Sequence, residues 1–382
     1  MRIVAGAQLE LDGRARGGED APLQVGIIMK VLLVAGVGER PEAHLFPALA
    51  ARGVQVDLLC DTSSPYFDPL RASGFPMTHL KLKARLDSNA IRTIRRMLKS
   101  NAYDIVHAFN GRALSNSMLA STGIPVKCIG YCGTMGHLNR WDPSAYLSIL
   151  NPRVDRIVCL SKAIRSYLLS KRLPEHRLVQ IYKGHDPAWF RAAPRSALKM
   201  FGIPDNAIVI GCTANTRPIK GVPVLIDAIG RLAREWPVHL LLVGQNKDGE
   251  LHRLLGNGAI ASRVHLTGFR MDAPELMGAC DAFVMPTLRN EGLSKAVMEA
   301  MCMGVPAIVS AVGGMVELVE HGRTGKIVPP GDSQALADAI QYYAEDKSLR
   351  ETHGRNGRER ILSSFSFPVM VDQTIRMYES LM

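Results

Sequence analysis

Two glutamates, Glu291 and Glu299, flank seven residues in the stretch RNEGLSKAVMEA (289–300), directly after the apolar run AFVMPTL. A second stretch, NTRPIKG, follows the apolar run IVIGCTA and carries Arg217 and Lys220. Two cations where a strand hands over to a helix make an anion site twice over, through their own charge and through the unpaired N–H groups of the helix start. The opening turn of the helix beginning near Ser294 offers the same groups around Gly292, Leu293 and Ser294. Eight residues of helix span roughly 12 Å, about the distance from a donor sugar across a diphosphate to a ribose. The pattern therefore fits one carboxylate at each end of a nucleotide-sugar, with the diphosphate held between. Each pair taken alone is equally at home as a solvated loop or helix face.

These residues need a scaffold, and the chain of 382 residues supplies one. Compact apolar runs alternate with helical patterns twice. VLLVAGV, QVDLLCD, DIVHAF, VKCIGY, RIVCLS and LVQIYKG come first, then IVIGCTA, VHLLLVG, VHLTGF, AFVMPT, AIVSA and GKIVPP. Runs without polar alternation are expected of parallel strands buried on both faces. Alternation of strand and helix implies α/β domains with right-handed crossovers. The reading is two Rossmann-like domains with parallel sheets facing a cleft. Residues 1–28 form an extension expected to be disordered, with Met29 an alternative start. Residues 29–187 form the first, acceptor-binding domain, and 188–365 the second, nucleotide-sugar-binding domain. Residues 366–382 form a helix crossing back to the first domain.

The segment EGLSKAVMEAMCMGVPAIVSAVGGMVELVEHGRTGKIVPPGD, together with TRPIKGVPVLIDAI, LLLVG, VHLTGF and GACDAFVMPT, resembles the retaining family 4 glycosyltransferases of GT-B fold. The shared features are E-x7-E, the EAM…G-x-P continuation, a Gly-Gly pair and the V-P-P-G-D ending. The resemblance implies that Arg217 and Lys220 neutralise the donor diphosphate. It implies that Glu299 accepts from the ribose hydroxyls and that Glu291 lies near the donor sugar. Gly292 to Ser294 would form the phosphate turn, and Gly313 and Gly314 a close-approach pair. The Gly36 and Gly38 turn after the first strand resembles the family's glycine loop; it is no dinucleotide fingerprint, because position 41 is proline. His137, in YCGTMGHLNRWDP, is the candidate from the loop that faces donor sugar or acceptor, with Arg140 beside it. Asn110, Arg112, Lys183 and Asp186 follow other strand ends. The first glutamate lacks the family's more usual E-x-F-G-L continuation, which leaves the donor sugar open. The implied reaction moves a hexose from a UDP- or GDP-sugar to a glycan or lipid-linked acceptor of cell-surface polysaccharide or lipopolysaccharide. No cofactor, metal or protein nucleophile is implied. A nucleotide-sugar epimerase of the same fold is the alternative.

Charge separates the halves. Residues 29–187 hold 22 basic and 11 acidic side chains, whereas 188–382 hold 21 and 20. An anionic partner for the first half follows. The stretch LKLKARLDSNAIRTIRRMLKS places Arg92, Arg95, Arg96 and Lys99 opposite Ile91, Ile94 and Leu98. This suits either an anionic membrane or acceptor surface, or the solvated face of an ordinary helix. A nucleic-acid binder is disfavoured, since basic and aromatic residues do not interleave. Seven cysteines without a C-x-x-C pair fit buried thiols of a reducing cytosol. A cytoplasmic chain is expected, either free or peripheral on the inner face of the membrane.

Overall fold

The structure is a computed structural model. It describes residues 29–36, 39–136, 138–233, 236–245, 251, 255 and 260–382. The expected extension 1–28 lies outside the described residues, as do Gly38 and His137.

The first sheet has seven parallel strands: β1 Lys30–Val34, β2 Gln55–Cys60, β3 Met77–His79, β4 Ile105–Ala108, β5 Lys127–Cys132, β6 Arg156–Cys159 and β7 Leu178–Gln180, in the order β3-β2-β1-β4-β5-β6-β7. The second has six: β8 Ile208–Thr213, β9 Val238–Val243, β10 Val264–Gly268, β11 Ala282–Met285, β12 Ala307–Ser310 and β13 Gly325–Val328, in the order β10-β9-β8-β11-β12-β13. This is the two-domain GT-B architecture. All twelve apolar runs became strands. The strand absent from the sequence reading, β3, is a three-residue edge strand with Thr78 and His79 exposed, so it carries no apolar run.

In both sheets the order reverses beside the first strand, between β1 and β4 and between β8 and β11. Crossovers depart to opposite faces at such a point and leave a crevice at the strands' C-terminal ends. Both crevices open into the same cleft.

Four helices matter for the site. Helix α1 (Arg40–Ala51) follows the β1 turn and buries Leu45, Phe46 and Leu49. Helix α2 (Ser88–Asn101) is capped by Asp87, whose Oδ1 accepts from the N–H groups of Asn89 and Ala90, and it buries Ala90, Ile94 and Leu98. Helix α3 (Gly111–Ala120) is capped by Asn110. Helix α4 (Lys295–Cys302) buries Val297, Met298, Ala300, Met301 and Cys302, which leaves Lys295, Ala296 and Glu299 to meet the cleft. It is flanked by Ser294 and Met303, one residue inside the expected limits at each end, and Gly304 follows at φ 76°.

The last helix, α5 (Phe367–Glu379), buries Met370, Val371, Met377 and Tyr378 in the core of the first domain, beside Phe46 and Phe67. Its entry is fixed by backbone bonds from His185 N–H to Phe365 O and from Phe367 N–H to His185 O. Glu317 of the second domain accepts from the N–H groups of Lys162 and Ala163 at a helix start of the first. No described helix is long and apolar enough to cross a membrane.

Candidate active site

The loop after β8 runs through Asn215 and Arg217 into a single turn, Pro218–Lys220. Gly221 then adopts φ 69°, and a Cβ there would lie 2.0 Å from the carbonyl oxygen of Pro286. Only glycine fits so close an approach. Leu288 N–H donates to Ile219 O across the same gap. These backbone contacts lock the β8 and β11 loops together and bring Lys220 Nζ to 2.7 Å from Glu291 Oε2. Thr287 Oγ1 donates to the same oxygen at 3.2 Å. Arg217 remains exposed, its Nε donating to Asn215 Oδ1.

Lys220, Glu291, Leu293, Ser294 and Gly36 line a cavity of about 670 Å³ at the two switch points, and Arg217 joins them. The Ser294 side chain makes no cap. The first-turn N–H groups of α4 therefore have no partner within the helix, and Ser294, Lys295 and Ala296 present that turn to the cavity.

Glu299 lines an adjoining cavity of about 740 Å³, which shares Thr213, Phe269, Lys295 and Ala296 with the first. The two glutamates thus stand in one continuous cleft, with α4 between them. Glu299 is 8% exposed. Burial pushes its carboxyl up to about 7, against the opposing pull of Lys295.

The first domain contributes charges that spacing did not reveal. Lys183 is buried between Glu39 Oε2 at 2.5 Å and Glu42 Oε1 at 2.6 Å. Burial opposes its charge, but Glu42, Tyr131 and Glu39 more than offset it, and Lys183 stays an ammonium. Burial likewise works against Glu39, yet Lys183 and Lys295 hold it at about 2. Lys295 Nζ, from the second domain, lies 3.9 Å from Glu39 Oε1. The signal for Glu39 and Glu42 was present, as two acids three residues apart directly after the glycine turn of β1. Their partner Lys183 stands more than 140 residues away.

Several candidates take other roles. Gly292, Gly313 and Gly314 do not line the cleft. A Cβ at Gly313 would lie 1.8 Å from Glu291 O, one at Gly314 1.9 Å from Gly292 O, and one at Gly292 2.1 Å from Gly133 O. These close approaches fix the turn that carries Glu291. Asp186 caps the turn Pro187–Trp189. Arg140 Nη1 donates to the carbonyls of Lys171 and Arg172. Arg95 Nη1 donates to those of Ala120 and Thr122. In both, one guanidinium nitrogen is engaged with backbone carbonyls. Arg92, Arg96 and Lys99 are exposed on α2, away from the cleft. Arg112 lines an adjoining cavity of the first domain.

Comparison with known proteins agrees with this architecture. Residues 43–189 match the family model described as Glycosyltransferase Family 4, and residues 207–346 match that of Glycosyl transferases group 1. A phosphatidyl-myo-inositol mannosyltransferase of Mycobacterium leprae is 27% identical, over 88% of this chain and 91% of its own. A capsular polysaccharide biosynthesis glycosyltransferase of Staphylococcus aureus is 39% identical over 46% of this chain and 47% of its own. In fold, Anabaena HepE, solved in complex with UDP, aligns with a TM-score of 0.78 at 23% identity, over 92% of this chain and all of that one.

Proposed function

We propose that this chain, which belongs to the family 4-type glycosyltransferases, transfers a hexose with retention from a UDP- or GDP-sugar to a glycan or lipid-linked acceptor of the cell surface. The observation carrying this reading is the continuous cleft that holds Glu291, Arg217, Lys220 and the first turn of α4 in one cavity and Glu299 in the adjoining one. The nucleoside end belongs beside Glu299, whose carboxylate accepts from ribose hydroxyls. The diphosphate belongs at Ser294 and the two cations. The sugar belongs at Glu291, under the first domain.

Transfer breaks the bond between the anomeric carbon and the donor phosphate oxygen, and charge builds on that oxygen. Fixed positive groups aimed there lower the barrier because they need no reorganisation as the charge develops. Lys220 and Arg217 supply them without a metal. The acceptor hydroxyl attacks from the face the phosphate leaves, so no protein nucleophile is required. The diphosphate is then the group that takes the acceptor proton. A second cavity of about 460 Å³ on the first domain shares Phe109, Asn110, Tyr131, Gly133 and Thr134 with the donor cavity. Such acceptor space favours transfer over epimerisation, which needs none. The exposed Arg92, Arg96 and Lys99 of α2 suit peripheral contact with an anionic membrane.

A thermal-shift screen of UDP- and GDP-sugars tests the reading, since a ligand that binds only the folded chain raises its midpoint. One nucleotide series should do so. If Glu299→Ala and Lys220→Ala both left nucleotide binding and donor turnover intact, the assignment would be wrong. The product anomer reads retention, and incubation with donor alone reads epimerisation.

A further inference from the structure

The first domain holds a cavity of about 650 Å³ lined by Gly36, Asp61, Lys81, Leu82, Arg85, Asn110, Gly111 and Arg112. Its three cations come from separate places: Lys81 and Arg85 from the connection between β3 and α2, and Arg112 from the first turn of α3. Among the described residues, none of them makes an ion pair within 4 Å. Donor-side lysines differ: Lys220, Lys183 and Lys295 are each paired with a glutamate. The single acid lining this 650 Å³ cavity, Asp61, accepts from the N–H and hydroxyl of Ser63. Arg85 is oriented by donating to Ser144 Oγ at 2.9 Å. Gly111 and Arg112 add the first turn of α3, a ten-residue helix whose cap, Asn110, satisfies only the Ala113 N–H.

This cavity joins the donor cleft through Gly36 and Asn110, which line both. The passage is narrow: a Cβ at Gly36 would lie 2.9 Å from Asn110 Nδ2. It also joins the 460 Å³ cavity through Arg85, Asn110 and Gly111. Three cations against one carboxylate, Asp61, whose charge Lys81 already offsets in part, leave net positive charge beside the point where a donor sugar would be attacked.

The geometry points to a phosphate subsite for the acceptor: the acceptor carries a phosphate group that Lys81, Arg85, Arg112 and the start of α3 hold while its hydroxyl faces the donor. This rests on the transferase reading above, because it takes the donor diphosphate to be held by Arg217 and Lys220. The shared chemistry is a phosphate ester, on a lipid or on a soluble sugar.

The test uses the full chain and its Lys81→Ala/Arg112→Ala variant, two exposed positions whose loss leaves no buried charge. Binding of glycerol 1-phosphate, and of vesicles carrying phosphatidate against phosphatidylcholine alone, is measured with and without UDP or GDP. Losing two charge-assisted contacts should weaken phosphate binding by roughly tenfold or more. Loss on glycerol 1-phosphate assigns the subsite to soluble phosphate esters, loss on phosphatidate vesicles alone to lipid-borne ones, and either supports it. Unchanged binding of both probes overturns it. Failure of the wild type to bind any nucleotide would instead overturn the transferase reading, while the phosphate arm still reports on the subsite.

Discussion

Lys220 and Glu291 belong to loops at the ends of neighbouring strands, β8 and β11, and are joined by a 2.7 Å ion pair in which both side chains are less than one-fifth exposed. The cation assigned to the diphosphate and the carboxylate assigned to the sugar therefore set each other's position. Removing either one changes two subsites.

Lys220→Ala is expected to lower kcat by about 10²–10³, the usual cost of deleting one fixed positive group from a developing oxyanion. Nucleotide affinity should fall much less, because Arg217 and the α4 turn remain. Glu291→Gln should reduce transfer more than nucleotide diphosphate binding, since Lys220 loses its partner while Arg217 and the α4 turn remain. Steady-state kinetics with paired nucleotide titrations separate the two. Equal losses in both quantities for Lys220→Ala would refute a transition-state role.

Glu299 predicts a pH dependence. Its carboxyl is raised to about 7 by burial, so between pH 4.5 and 7 the folded chain binds a proton that the unfolded chain has released. Stability must fall as pH rises through this window, by up to about 3 kcal/mol, and level off above it. Glu299→Gln should remove that slope and be the more stable protein at pH 8 in urea titrations. Nucleotide affinity runs the other way. Ribose hydroxyls donate to the ionised form, so wild-type affinity should rise from pH 6 to pH 8, and that of the variant should stay flat.

Gly314→Ala should be costly although the residue is not among those lining the donor cleft. Its Cβ would enter the Gly292 carbonyl, and the clash is relieved only by moving the turn that carries Glu291. A loss of about 1–3 kcal/mol and a larger fall in kcat than in nucleotide affinity are expected. Calorimetry and kinetics on Gly314→Ala, with Gly322→Ala as a strained glycine whose Cβ meets nothing, distinguish displaced geometry from general instability.

The glycines also mark how far residue type and spacing carried the reading. Their necessity was legible in the Gly-Gly pair; their partners, backbone carbonyls 22 residues earlier in the chain, were not. The strands were legible because burial on both faces leaves an unbroken apolar run, and β3 was missed because two of its three residues face solvent. Glu291, Glu299, Arg217 and Lys220 were legible because each site lies within one short loop or helix. The Glu39–Lys183–Glu42 cluster was not, because its members meet only after the first sheet closes. The backbone carbonyls that Arg95 and Arg140 donate to were not legible, because such partners leave no trace in side-chain type.

Lys183 sits between Glu39 and Glu42 in the wall of the cleft. Lys183→Met would leave two acids facing each other with Lys295 near. Breaking the buried Lys183–Glu42 pair costs about 3 kcal/mol, whereas the Glu39 arm, two-fifths exposed, adds little. The wild type carries the opposite dependence. Glu39 is depressed to about 2, so its contribution is present above pH 4.5 and lost as pH falls towards 2. The variant should therefore be most destabilised near neutrality and approach the wild type at pH 3–4, where its unpaired acids take up protons. Urea midpoints across this range check it, and a constant difference at all pH values would contradict the pairing.

Tyr378 tests whether the returning helix is part of the first domain. Its hydroxyl meets His107 Nδ1 at 2.8 Å with both side chains buried, and burial holds His107 neutral by lowering its pKa to about 3. Tyr378→Phe keeps the ring packing but strands the imidazole nitrogen, at a cost of about 1–3 kcal/mol. Tyr378→Ala also removes the ring from the core, for about 3–5 kcal/mol. If helix α5 is a strap that ties the second domain to the first, the alanine variant should lose first-domain stability selectively. Limited proteolysis should then cut near Ser366 before either sheet opens. The phenylalanine variant should keep one coincident unfolding transition and the wild-type turnover per folded molecule. Simultaneous loss of both domains in the alanine variant, with no early cleavage, would mean that the sheets do not depend on the strap individually.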